Sequence, residues 1–229
     1  MKKLRGFTLA EVLITLGVIG VVAALTLPTL IKNYQKHVLV NQLKKAVSVF
    51  EQGMQKMIID ESVDNLKQLP MFDMDNGCYQ NGYGSLIGET LLKKYFKILK
   101  FSYDEFEAKY LDENLGEDSS SDPAPVYMSD GTIYYIDGCY SSNWIAGSVI
   151  IDVNGTKKPN QWGRDVFEFY ITPLGNLVPI RGTYEQSKSS RYWKNGNYLC
   201  GTEGSSDISN VGGYGCAARI IENGWKMDY

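Results

Sequence analysis

The sequence predicts an α+β protein in which a long N-terminal helix packs against an antiparallel β-sheet. The first observation is an apolar run over residues 7–31 that contains one charged side chain, Glu11. The second is a helical period of apolar side chains over residues 32–59. The third is a change to short strand-like segments between turn signals after residue 125. Helix followed by a series of strands is the pattern of an α+β fold.

The composition is that of an ordinary globular protein. Hydrophobic residues make up 44% of the 229 residues and charged residues 21%, which argues against disordered, collagen-like and low-complexity classes. The formal net charge is -3 at pH 7. Because a surface that follows phosphates needs an excess of basic side chains, we expect no nucleic-acid partner for the folded head of the protein.

The run over residues 7–31 is long and apolar enough to cross a membrane. A helix over this range would be about 37 Å long, which exceeds the ~30 Å of a bilayer's hydrocarbon core. The run is also longer than the roughly 7–15 apolar residues of a cleaved secretory signal. Lys2, Lys3 and Arg5 precede it. Since basic flanks stay in the cytoplasm, we expect a single pass with the N-terminus inside and the remaining chain outside.

Glu11 is the unusual residue of this segment, because an ionisable side chain within a membrane costs on the order of 2–3 kcal/mol and commonly marks a function. One interpretation is that Glu11 lies near the end of the span and reaches the headgroups. The other requires a cation, and no Lys, Arg or His lies within residues 7–31. Cleavage between Gly6 and Phe7 would create one, since the new ammonium group would lie one helical turn before Glu11 on the same face.

Residues 2–28 read KKLRGFTLAEVLITLGVIGVVAALTLP. This segment resembles the class III leader and hydrophobic helix of type IV prepilins and type II secretion pseudopilins. The shared features are a short basic leader that ends in Gly6, Phe7 as the first mature residue, and Glu11 and Pro28 at the family's glutamate and proline positions. The resemblance covers about residues 2–31.

The resemblance implies a processing step and a structural function. A prepilin peptidase would cleave after Gly6 and N-methylate Phe7. The protein would then be a structural subunit of a type IV pilus or a type II secretion pseudopilus, drawn from the inner membrane by the assembly machinery into a helical filament of itself or related pilins. Glu11 would pair with the amino terminus of a neighbouring subunit, and the helix would kink or melt near Pro28. The head would be periplasmic or extracellular.

Four segments follow from these patterns. Residues 1–6 are the leader peptide, 7–31 the transmembrane and polymerisation helix, 32–59 the amphipathic half of the helical spine, and 60–229 a globular pilin-like head. The amphipathic half places apolar side chains on one stripe. They are Leu39, Leu43, Ala46, Val47, Phe50, Met54, Met57 and Ile58.

The head is predicted to contain short helices and an antiparallel sheet. Asp130 and Gly131 give the strongest hairpin signal. Helices are predicted over residues 86–99, 103–115 and 217–222, a polar loop over 116–125, and strands over 126–128, 132–136, 147–153, 166–171 and 177–180.

Four cysteines lie beyond the apolar run, in a compartment where disulfides persist. They are Cys78, Cys139, Cys200 and Cys216. Sequence allows three connectivities. We favour Cys200 with Cys216, because this bond closes a C-terminal loop that has few apolar anchors, which leaves Cys78 with Cys139.

A group of oxygen-bearing side chains surrounds an Asn-Gly turn. Its members are Asp152, Asn154, Asn160 and Asp165. Major pseudopilins carry a calcium loop in a comparable region, but Lys157 and Lys158 add positive charge at the middle of this one and the oxygen spacing fits an EF-hand loop poorly. We therefore expect a plain turn with solvated carboxylates and no cofactor or metal, and keep calcium at Asp152, Asn154 and Asp165 as the alternative.

Enzymatic function is not predicted. His37 is the only histidine, and no phosphate-binding loop or compact catalytic motif is present in the sequence. The main hypothesis is a filament subunit. The alternative is a minor or tip pilin-like binding protein with the same anchor, whose head recognises a surface, DNA or a secreted substrate.

Overall fold

The computed structural model describes residues 6, 8–73, 86–102, 106–111, 116–120, 125–138, 143–180, 200 and 212–229. The chain forms two compact units, Met1–Val38 and Leu39–Tyr229. Helix α1, Leu9–Asp60, contains 52 residues and belongs to both units.

In the first unit the side chains of α1 are exposed. The most apolar 18-residue window of the helix is 0% buried, and the helix is long and apolar enough to cross a membrane. A helix that is apolar on all sides and unpacked by protein needs another apolar environment. Helix α1 is continuous through Pro28, so the local melting predicted there does not occur in this structure.

The second unit is built on a six-stranded antiparallel sheet with the strand order β1-β4-β5-β6-β7-β8. A separate two-stranded sheet pairs β2 with β3. The strands are β1 Ile98–Phe101, β2 Phe106–Lys109, β3 Glu117–Ser120, β4 Pro125–Met128, β5 Ile133–Asp137, β6 Gly147–Asp152, β7 Val166–Ile171 and β8 Leu177–Pro179. The other helices are the 3₁₀ turn Leu66–Gln68, α2 Leu86–Tyr95 and α3 Cys216–Glu222.

Both faces of the six-stranded sheet are covered. Tyr134 and Ile136 of β5 join the core cluster that contains α1, whereas Ile133 and Tyr135 join a second cluster with residues of β2 and Trp162. Successive side chains of a strand point to opposite faces. Burial on both faces explains why β5 has an apolar run instead of a strict alternation of apolar and polar residues.

The predicted apolar stripe of α1 is confirmed as the side of the helix that packs against the sheet. Its buried members are Leu39, Val40, Leu43, Ala46, Val47, Phe50, Gly53, Met54 and Met57, and Ile58 is half-buried. A buried hydrogen bond adds to this packing, because the Tyr134 hydroxyl donates to the carbonyl oxygen of Ala46 at 3.0 Å.

Several predicted strands are confirmed. The hairpin at Asp130 and Gly131 joins β4 and β5, and Gly131 has a φ of 91°, which favours glycine. Strand β7 has the predicted bounds, and β6 and β8 each end one residue earlier than predicted.

Three predictions between residues 96 and 125 are wrong. The helix predicted over 86–99 ends at Tyr95, and Ile98–Phe101 is strand β1, which pairs with β4. The helix predicted over 103–115 contains strand β2, and the loop predicted over 116–125 contains strand β3. In β2, Phe106 and Ala108 are buried while the residues between and after them are exposed. This is the period of a strand, and the pairing with β3 overrides the helical propensity of the segment.

Gly53 is the close-packing position of α1. A Cβ atom at this residue would overlap the ring of Phe96. That ring has little room to move, since its centroid lies 5.7 Å from that of Phe50 and 6.4 Å from that of Tyr134.

A Gly53→Ala substitution should lower the free energy of unfolding by about 1–3 kcal/mol through overpacking, although alanine by itself favours helix by about 1 kcal/mol. Thermal and urea unfolding of the detergent-solubilised protein measures this. Gly20→Ala is the matched control, because a Cβ there has no atom within 4 Å. Equal effects of the two substitutions would contradict the packing described for Phe96.

Candidate functional site

Helix α1 begins with a reciprocal cap formed by Thr8 and Glu11. The backbone N–H and the hydroxyl of Thr8 each donate to Oε2 of Glu11 at 2.8 Å. The backbone N–H of Glu11 donates back to Oγ1 of Thr8 at 3.3 Å. This arrangement is a capping box, which satisfies two N–H groups that a helix start leaves unpaired. The Thr8-x-x-Glu11 spacing is its sequence signal, and the sequence analysis missed it.

The Glu11 carboxylate retains an oxygen for another donor. Both hydrogen bonds from Thr8 end on Oε2, and Oε1 accepts none from the residues that the structure describes. Glu11 is exposed on the helix surface, as is Gly6. Phe7 lies outside the described residues. The expected cleavage between Gly6 and Phe7, and the expected assembly functions of Glu11 and Pro28, therefore stay predictions.

The surface around Glu11 is continuously apolar. Leu9 is 78% exposed, and large apolar side chains follow it on every side of the helix. They include Leu13, Ile14, Leu16, Val18, Ile19, Val21, Val22, Leu25, Leu27, Leu30 and Ile31. An exposed apolar surface of this extent marks contact with lipid or with other proteins.

In the second unit the disulfide between Cys200 and Cys216 is present, which confirms that part of the predicted pairing. Cys78 and Cys139 lie outside the described residues. Cys216 is the first residue of α3 and is fully buried. Its sulfur packs so closely on Gly163 that a Cβ there would lie 2.6 Å away. The bond thus fixes residue 200 to a helix end inside the core.

Removing this disulfide with the double substitution Cys200→Ala/Cys216→Ala should cost about 3 kcal/mol of unfolding free energy, since the unfolded chain regains the freedom of a loop of about this size. Urea unfolding of the solubilised protein measures the loss. The single substitution Cys200→Ala also removes the bond and should give nearly the same value. A loss below about 1 kcal/mol would contradict a stabilising function of the bond.

The candidate calcium residues come together at the end of β6, in what we call the β6–β7 cluster, which consists of Asp152, Asn154, Asn160 and Asp165. Oδ1 of Asp152 accepts the backbone N–H groups of Asn154 at 3.1 Å and Gly155 at 2.9 Å. Oδ2 of Asp165 accepts the Asn154 side-chain amide and the Asn160 backbone N–H, both at 3.0 Å. Oδ1 of Asp165 accepts the Gln161 backbone N–H at 2.6 Å.

The expectation that these carboxylates are solvated is wrong. Asp152 is 3% exposed and Asp165 is 0% exposed, because both carboxylates bind backbone N–H groups of the loop that connects β6 to β7. Burial and then the charge of Asp165 raise the pKa of Asp152 to about 8. Burial also raises the pKa of Asp165, although hydrogen bonds from Gln161 and Asn160 oppose the shift.

Lys157 and Lys158 do not occupy the centre of the cluster. Both side chains are exposed, and among the described residues neither forms an ion pair with Asp152 or Asp165. The expectation that these lysines place positive charge where a cation would bind is therefore wrong.

Comparison with known proteins identifies the N-terminal segment. The family model of the prokaryotic N-terminal methylation motif matches residues 1–27. This motif is the class III prepilin leader of type IV pilins and pseudopilins, and it contains Gly6, Phe7 and Glu11. No curated protein and no solved structure matches the chain.

Proposed function

We propose that the protein is a structural subunit of a type IV pilus or a type II secretion pseudopilus, made as a prepilin, cleaved after Gly6 and N-methylated on Phe7. The observation that carries the proposal is the methylation motif over residues 1–27. The helix that follows supports it, since its apolar surface is exposed on all sides and its one acidic residue stands at the start.

The basic residues of the leader keep the N-terminus in the cytoplasm. The apolar part of α1 anchors the precursor in the inner membrane, and the second unit lies on the periplasmic side. A prepilin peptidase reaches the peptide bond between Gly6 and Phe7 from the cytoplasmic face. Cleavage removes the charges of Lys2, Lys3 and Arg5 and leaves one positive charge, the amino group of Phe7.

This new ammonium group gives Glu11 a partner. In a medium of low dielectric constant an unpaired carboxylate is costly and an ion pair is strong. Oε1 of Glu11 has the capacity for this contact, because Thr8 occupies only Oε2. When the ammonium group belongs to a neighbouring subunit, satisfying Glu11 joins two subunits, and repetition of the contact builds a filament.

The apolar surface of α1 supplies the remaining contact energy. Side chains such as Leu13, Ile14 and Ile19 are more than half exposed. They exchange lipid contacts for contacts with the same helix of adjacent subunits. The second unit then covers the outside of the filament.

The processing step predicts the mass of the mature N-terminus. Mass spectrometry of the protein purified from cells with a prepilin peptidase should find a chain that begins with N-methylated Phe7. The same protein from a peptidase-deficient strain should begin at or near Met1. Recovery of the intact leader in the assembled material would contradict the proposal.

The assembly step predicts that Glu11→Ala inserts into the membrane as the wild type does but yields at most one tenth of the sheared filaments, since a lost ion pair of about 1.4 kcal/mol per contact already gives a factor of 10. Immunoblots of the membrane fraction and of the sheared fraction measure the two quantities.

Thr8→Ala is the control for this experiment. It removes the hydroxyl contact to Glu11 but keeps the carboxylate, so assembly should remain close to that of the wild type. If Thr8→Ala reduces filament yield as much as Glu11→Ala, then Glu11 acts as a helix cap and not as the partner of another subunit. Unchanged yield for Glu11→Ala would contradict the assembly mechanism.

A further inference from the structure

Two buried amide oxygens in the β6–β7 cluster have no hydrogen-bond partner. They are Oδ1 of Asn154 and Oδ1 of Asn160. A buried polar atom without a partner costs about 1–3 kcal/mol, and such atoms are rare in folded proteins. Two of them on one loop, beside two buried carboxylates, indicate that a group with positive charge or a donor belongs at this place.

We propose that Asp152, Asn154, Asn160 and Asp165 bind one calcium ion, which completes the loop between β6 and β7. This site is separate from the filament function proposed for the N-terminal segment.

The donor set favours calcium over other metals. All four side chains offer oxygen, and calcium binds six to eight oxygen ligands from carboxylates, amides, backbone carbonyls and water. Zinc prefers nitrogen and sulfur ligands, and the described residues contain no group of three or more His, Cys, Asp or Glu side chains that fits a metal ion. Here the amide oxygens of two asparagines take the place of further acidic residues.

The charge of the cluster also fits a divalent cation. Asp152 and Asp165 are buried and close enough that the charge of one raises the pKa of the other. Two negative charges at this depth need compensation. The nearby Lys157 and Lys158 do not supply it, since both side chains are exposed. One calcium ion would neutralise both carboxylates and give the orphaned oxygens a partner.

The backbone of the loop is already arranged around the proposed ion. The Asn154 side-chain amide is held at Asp165 by its Nδ2–H, so its oxygen lies in the same buried region. Gly155 has a φ of 66°, and a Cβ there would overlap the carbonyl oxygen of Gly131. Only glycine allows this turn, which brings Asn154 back towards Asp165.

The site would also hold a neighbouring layer of the fold. Lys109 of β2 donates its N–H to the Asn160 carbonyl oxygen at 2.8 Å, and Trp162 donates its N–H to the Lys109 carbonyl oxygen at 2.9 Å. Calcium bound at Asn160 therefore stabilises the attachment of β2 to the sheet. We expect the ion to change the unfolding of the whole second unit and not only the local loop.

Two other occupants are possible outcomes of the test. A buried water molecule satisfies amide oxygens without any metal. A protonated Asp152 donates a hydrogen bond to one of them. With either occupant, the midpoint temperature of unfolding is the same in calcium and in a chelator.

The experiment is thermal unfolding of the full-length protein in detergent, first treated with EDTA and then measured with EDTA or with millimolar calcium chloride. Calcium should raise the midpoint by several degrees, as expected for a ligand that binds only the folded state. Magnesium chloride at the same concentration should raise it less. Isothermal titration with calcium chloride should give one site per chain. Equal midpoints in calcium and EDTA, with no heat of binding, would overturn the proposal.

Variants locate the site. Asp165→Asn should abolish the calcium-dependent shift, whereas Asp130→Asn, which changes a carboxylate of the β4–β5 turn, should keep it. Asn160→Asp adds a third carboxylate, so it should lower the midpoint in EDTA and enlarge the calcium-dependent rise. This variant decides the matter if Asp165→Asn fails to fold. A wild-type shift that persists at full size in a folded Asp165→Asn protein, or an Asn160→Asp protein that calcium does not rescue, would contradict the assignment.

Discussion

The packing of the amphipathic part of α1 against the six-stranded sheet is the contact on which the second unit depends. Phe50, Met54 and Met57 are fully buried in it, and the Tyr134 hydroxyl fixes the helix relative to β5. Since one residue of slip would turn every inward side chain of a strand outward, this contact also sets the register of the sheet. The glycine at position 53 and the aromatic ring of Phe96 show how closely the two surfaces fit.

The opposite face of the sheet needs a second cover, and the chain provides it with little regular structure. Strands β2 and β3, Trp162 and the loop between β6 and β7 form this layer. A buried loop has few ladder partners for its N–H groups, so side chains must accept them. Asp152 and Asp165 do this, which explains why two carboxylates lie where the sequence alone suggests a solvated turn.

The sequence predicts the parts of this fold whose signals are local. The stripe of α1, the hairpin at Asp130 and the bond between Cys200 and Cys216 belong to this class, as does the motif that includes Gly6 and Glu11. Strands β1, β2 and β3 have only four residues each, too few for a period to stand out from a helix or a loop. Burial of the two aspartates follows from the fold of distant segments, which no window of sequence contains.

The exposed apolar surface of the first unit limits how the chain can be made and moved. A helix with Leu9, Leu13 and Leu25 turned outward on different sides aggregates in water before it finds any partner. A newly made chain must therefore pass from the ribosome into the lipid without an aqueous stage. Any later extraction from the bilayer must cover this surface in the same movement, so release and docking are a single event.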